Sequence, residues 1–302
     1  MDKQLIKLGH SPDPDDAFMF YGLARDEVDS GPFEFKHILN DIQTLNEWAQ
    51  QGRLEVTAIS VHAYAYVQDK YAILSSGASM GATELADYEP GEGEGECSFA
   101  KSTPPTNVHG PLLVAGKEIP REQLTRKTIA VPGTMTSAFL TLRLAVGEFD
   151  YVVMPFDTIL EAVQKGQVDA GLIIHEGQLT YKDMGLCSLM DLGKWWYEQT
   201  ALPMPLGCNV IRRDLGKEKM ARISAILKSS IAYGLAHRGQ AVEYALGYGR
   251  GLDRQMADQF VGMYVNQWTL DYGPVGRQAV TELLKRGSDA KIIPPVTEPE
   301  FV

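Results

Sequence analysis

Short blocks of apolar residues recur along the first half of the chain, each closed by turn residues or followed by an amphipathic stretch. Leu5, Ile6 and Leu8 predict a strand over residues 3–9, and Phe33, Phe35 and Ile38 a second over 33–38. Between and after them the spacing predicts helices over 15–25 and 42–51, the latter ended by Gly52. A short strand is expected at 56–60, the start of a helix at 61–68, and further strands at 111–116 and 128–131. Strands alternating with helices predict an α/β protein with mainly parallel sheets. Beyond Gly207 the period changes to three and four, predicting helices over 217–237, 239–248, 253–265 and 273–285.

Two stretches share one plan. L-N-E-W-A-Q-Q-G-R-L-E-V-T-A-I-S-V-H (45–62) and I-L-E-A-V-Q-K-G-Q-V-D-A-G-L-I-I-H (159–175) each read helix, glycine, acidic residue, apolar strand. This suggests two similar lobes, although helix-glycine-strand units are common enough for chance to compete. P-M-P-L-G-C-N-V-I-R-R (203–213) reads as a strand returning to the first lobe. The expected organisation is a discontinuous first lobe, 1–113 and 206–302, around a second lobe, 114–205. Two crossing segments would form a hinge and the ligand would lie in the cleft. Residues 82–107, rich in Glu, Gly and Pro, interrupt the pattern and read as a loop inserted in the first lobe.

Composition narrows the function. The 302 residues are 44% hydrophobic, enough for a sizeable core, and carry a net charge of -11. That charge opposes binding to nucleic acid or to an anionic membrane, and no window of about 18 apolar residues is present. Cys97, Cys187 and Cys208 are odd in number and lack metal-ligand spacing. Reduced thiols, together with an N-terminus lacking a secretory h-region, lead to the expectation of a cytoplasmic protein.

Three places invite chemistry. In S-P-D-P-D-D-A-F-M-F-Y (11–21), Asp13, Asp15 and Asp16 lack the spacing of a calcium loop, and Pro12 and Pro14 remove two backbone donors. They read as a helix start, whereas Ser11, just past the first strand, is placed to touch a ligand. In V-P-G-T-M-T-S-A-F-L-T-L-R (131–143), Thr134, Thr136 and Ser137 gather where a helix begins. Helix N-termini receive carboxylates and phosphates, and ordinary capping is the competing reading. His175, in A-G-L-I-I-H-E-G, stands at the carboxyl end of an apolar strand. Such a histidine serves as a general base near neutral pH or as a hydrogen-bonded structural residue. The stretch lacks the second histidine of a zinc motif, so no metal is expected.

These stretches, together with L-N-D-I-Q-T-L-N, A-I-S-V-H-A-Y-A-Y, S-S-G-A-S-M-G, H-G-P-L-L-V-A and Y-V-N-Q-W-T-L-D-Y-G-P-V-G-R-Q-A-V, resemble the menaquinone-biosynthesis family that contains 1,4-dihydroxy-6-naphthoate synthase. The resemblance covers most of the chain outside 82–107. It implies a two-lobed, periplasmic-binding-protein-like (type II) fold with a discontinuous first lobe. It further implies a cofactor-free carbon–carbon lyase that splits cyclic dehypoxanthinylfutalosine. By the same resemblance His175 is the proton acceptor, and Ser60, Thr136, Ser137 and, in L-N-D-I, Asn40 contact a small carboxylate substrate. Two features depart from the family pattern: Asp13 and Asp15 stand where Cys and Asn are usual, and 82–107 is extra. A solute-binding protein without chemistry and a chorismate dehydratase-type lyase are the alternatives on this fold.

Overall fold

The computed structural model describes residues 3–82, 108–248 and 252–302. The expected insertion, apart from Ala82, lies outside the described residues, as does Cys97.

Two sheets form the frame. In the first, β1 (Gln4–His10) pairs in parallel with β2 (Phe33–Leu39) and β3 (Val56–Ser60). Period two decides the faces of β1, with Ile6 and Leu8 fully buried and Leu5 exposed. β4 (Tyr71–Ile73) and β5 (Ser79–Met80) follow. The chain then crosses to the second sheet, ordered β10 (Cys187–Asp191), β6 (Leu112–Ala115), β9 (Ala170–Ile173), β7 (Thr128–Val131), β8 (Asp150–Val153). It returns as β11 (Pro205–Arg212), which pairs with β3, β4 and β5. All of β6 therefore pairs in the second sheet and all of β11 in the first.

The sheets are mixed rather than mainly parallel. β1 to β3 and β7 to β9 keep the parallel pairing of βαβ units, but β6 and β11 enter from the crossing segments and run antiparallel to their neighbours. The repeated unit is real: the helices Ile42–Gln50 and Ile159–Gln164 are followed by Gly52 and Gly166 at φ of 64° and 65°, then by β3 and β9. Both glycines take the left-handed conformation that ends a helix without a Cβ penalty.

Alternate residues of the second sheet serve different cores. Val114 and Ile173 pack on the helix Ile159–Gln164, within that lobe. Leu113, Ala115 and Leu172 belong to a larger cluster that also holds Ile59, Tyr64 and Val210 of the first lobe. The helix Gly273–Asp289 adds Leu283 and Leu284 to this cluster, against Leu140 and Leu142 of the helix Ser137–Val146. The lobes are thus welded along one side by apolar packing. Beneath the first sheet, Phe18, Ile223 and Val261 form a separate core. Among the described residues no helix is long and apolar enough to cross a membrane.

Candidate active site between the lobes

A cavity of about 110 Å³ lies between the sheets, walled by loops that follow β1, β3 and β9 and by the turn after β7. Open α/β sheets bind ligands at these strand ends, because the diverging loops leave a crevice there. Ser11 and Ser60 of the first lobe and Thr136, Ser137 and Ala138 of the second share the lining.

Ser60 closes β3. Its backbone N–H donates to Asn46 Oδ1 at 2.8 Å, and its hydroxyl oxygen accepts from Asn46 Nδ2 at 3.2 Å. The Ser60 proton therefore remains to be donated to a ligand.

The hydroxyls across the cavity are engaged differently. Thr136 caps the helix Ser137–Val146, accepting from Phe139 N–H at 3.1 Å and donating to the Gly133 carbonyl at 3.0 Å. Ser137 donates to Leu206 O at 2.6 Å and accepts from His62 N–H at 3.2 Å, both in the first lobe. These hydroxyls shape the turn and tie the lobes. What the turn offers a carboxylate is its backbone: the N–H groups of Ser137 and Ala138 stand first in the helix, with no carbonyl one turn back within it.

The acidic triplet is both a helix start and a cavity wall. Asp15 and Asp16 lie in the first turn of Pro14–Met19, and Asp13, Asp15 and Asp16 all reach the cavity. Asp16 accepts from Ser11 N–H at 2.7 Å. Burial lifts the Asp16 carboxyl to about 6 against the pull of its Ser11 hydrogen bonds. Burial, with the charges of Asp16 and Asp13, holds Asp15 well above the carboxylate range. Among the described residues, no Lys, Arg or His belongs to the lining. A ligand carboxylate would be met by backbone amides of the second lobe, and its hydroxyls by the acidic wall of the first.

His175 sits at the edge of this chamber. Ile174 and Gln178 line the cavity, but the buried His175 ring is not part of the lining. Nδ1 accepts from Gly177 N–H at 3.0 Å, which leaves Nε2 to donate to the Phe156 carbonyl at 3.1 Å. A Cβ on Gly177 would lie 2.6 Å from His175 Cε1, so the ring needs a glycine there. Glu176 Oε2 lies 3.8 Å from His175 Nδ1.

Two expected contacts lie elsewhere. Thr134 faces a separate depression, and the Asn40 side chain accepts from Asp41 N–H at 3.0 Å, outside the cavity lining. Sequence reasoning reads Asp13, Asp15 and Asp16 as a helix start, which Asp15 and Asp16 are, and does not count them as ligand contacts, although they follow the strand end that pointed to Ser11. Gln178 and Tyr264 were also passed over. They meet across the cavity from different lobes, and no sequence pattern links positions so far apart. Among the described residues no three His, Cys, Asp or Glu side chains gather as metal ligands.

Comparison with known proteins fits this architecture. The chain is 37% identical over 299 residues to the 1,4-dihydroxy-6-naphthoate synthase of Thermus thermophilus, covering 99% of this chain and 100% of that one. A crystal structure of an Archaeoglobus fulgidus protein shares 44% identity and superimposes with a TM-score of 0.84, covering 96% of this chain and 98% of the other. The ligand-binding component of an ABC-type import system from Staphylococcus aureus superimposes with a TM-score of 0.69 at 14% identity, over 99% and 96% of the chains. That likeness shows a periplasmic-binding-protein-like fold. The family model for menaquinone biosynthesis matches residues 6–84 and 106–289, passing over most of the expected insertion. Its span leaves the assignment plain: this chain belongs to the menaquinone biosynthesis family.

Proposed function

We propose that this protein is a 1,4-dihydroxy-6-naphthoate synthase, a carbon–carbon lyase that splits cyclic dehypoxanthinylfutalosine in the cytoplasm, with His175 as the general base. Family membership supports the reaction, and the position of His175 between the cavity-lining Ile174 and Gln178 carries its role. In the conformation described, Gly177 and Phe156 engage both ring nitrogens. Substrate binding must therefore turn the imidazole out of this pocket, freeing a lone pair for the substrate proton. Ser60 would donate to the ligand from one lobe while the Ser137 and Ala138 amides hold its carboxylate from the other. Lobe contact then excludes water as the base swings in.

The test is direct: purified protein with cyclic dehypoxanthinylfutalosine, followed for the naphthoate. Product formation supports the reading. Tight binding of the compound without turnover would make the protein a binding module instead.

A further inference from the structure

Behind the turn that presents Thr136 and Ser137 lies a second depression, of about 400 Å³, also shared by the lobes. Its character is the reverse of the cavity's. Arg143 and Lys291 contribute to its lining and, among the described residues, no Asp or Glu does, in a chain whose net charge is -11. Tyr66 and Tyr151 flank it and are 39% and 44% exposed, an unusual outlay of aromatic surface beside two cations.

Two buried atoms in this lining have no hydrogen-bond partner. His62 is 1% exposed, and its Nδ1 meets the Thr136 carbonyl at 3.0 Å. Nδ1 must carry the proton, so Nε2 is a bare acceptor, and it is unpartnered. Burial lowers the imidazole to about 4, which keeps that acceptor available at neutral pH. Arg143 Nε is likewise buried and unpartnered, while its Nη2 reaches the exposed Glu148 at 3.2 Å. An unmet buried donor or acceptor costs about 1–3 kcal/mol, and native structures carry few of them. Here an acceptor and a donor border the same depression, beside aromatic rings and a second cation.

We propose that this depression binds a small hydroxylated aromatic carboxylate, whose hydroxyl donates to His62 Nε2 and whose carboxylate is held by Arg143 and Lys291. The ring lies between Tyr66 and Tyr151. The class includes the naphthoate formed by the proposed reaction, so the site can report product to the enzyme. Its route inward is short, because His62 also bonds Ser137 Oγ through its backbone N–H and Thr136 O through its ring.

The probe is 6-hydroxy-2-naphthoate, titrated calorimetrically against wild type, Arg143→Met and Lys291→Met. Wild type should show a site that each variant weakens roughly tenfold or more, as expected when a charge-assisted contact is lost. Turnover without the probe should be unchanged in both. 2-Naphthoate, lacking the hydroxyl, should bind that site several-fold more weakly, and 2-naphthol, lacking the carboxylate, weaker still. Identical titrations for wild type and both variants would assign all binding to the cavity and overturn the proposal. Equal affinity for 2-naphthoate would overturn the role of His62. The Lys291 variant changes only an exposed chain, so a folding failure of Arg143→Met leaves the test intact. None of these outcomes depends on His175.

Discussion

The Tyr264 hydroxyl, from the first lobe, donates a 2.9 Å hydrogen bond to Gln178 Oε1 of the second. Both residues are buried and both line the cavity. Gln178 also gives its N–H to the His175 carbonyl at 3.0 Å. The segment carrying the proposed base is therefore fastened to the opposite lobe at the point where the lobes meet. Burial pushes the Tyr264 phenol upward, keeping it a donor. With Ser137 bonded to Leu206 and Met135 bonded to Gln43, the cleft side is held by polar ties. The other side is held by apolar packing against Leu283 and Leu284.

Tyr264→Phe removes one tie and leaves Gln178 Oε1 bare. The contact between the lobes should lose about 1–3 kcal/mol, the usual consequence of an unmet buried acceptor. Small-angle scattering of the variant should give a larger radius of gyration than wild type, and product should bind more weakly. Unchanged scattering and affinity would mean that this bond does not hold the lobes together.

Gly177→Ala tests the geometry around the base without touching it. A methyl 2.6 Å from His175 Cε1 and from Leu160 Cδ1 has no room, so the ring must shift. Turnover should fall while the unfolding transition stays cooperative. A variant as active as wild type would show that the ring position seen here is irrelevant to the reaction.

Stability should respond to pH through buried groups of opposite sense. Burial holds His10 down to about 3 and His62 to about 4, against 6.5 when exposed. Their contribution is complete above about 6.5 and is lost as pH falls toward those values, because the unfolded chain takes up protons first. Asp16, raised to about 6 from 3.8, contributes most below 3.8 and loses that contribution as pH rises through 6. Between pH 6.5 and 4, His62→Gln should therefore lose less stability than wild type in denaturant titrations. Parallel pH profiles for the two proteins would contradict the assignment.

Ser60→Ala deletes a cavity hydroxyl that accepts from Asn46 and keeps its own proton for a ligand, whereas the Thr136 and Ser137 protons are held by Gly133 and Leu206. KM should rise by the equivalent of about 1–3 kcal/mol, with kcat nearly retained, since the contact is made in ground and transition states alike. A loss confined to kcat would instead put Ser60 in the chemical step.

Much of this was legible in the sequence, for local reasons. Strand ends, the capping Thr136 and the two glycine-terminated helices are set within a few residues and leave a periodic signature. The mixed pairing of the sheets was not legible, because the direction of β6 and β11 follows from how the chain crosses between lobes. The engagement of the Thr136 and Ser137 hydroxyls was hidden for a similar reason. Their acceptors, Gly133 and Leu206, are backbone carbonyls that any sequence would supply. The Tyr264–Gln178 tie joins positions 86 residues apart and exists only once both lobes are folded.

The central claim is that His175 leaves its resting bonds to Gly177 and Phe156 to take a proton from the substrate. The kinetics of His175→Asn with cyclic dehypoxanthinylfutalosine measure it most directly. The account predicts a folded variant with KM near wild type and kcat reduced roughly 10² to 10⁴-fold, the usual contribution of a positioned base. Wild-type kcat in that variant would contradict it, and loss of folding would return His175 to a structural role between Phe156 and Gly177.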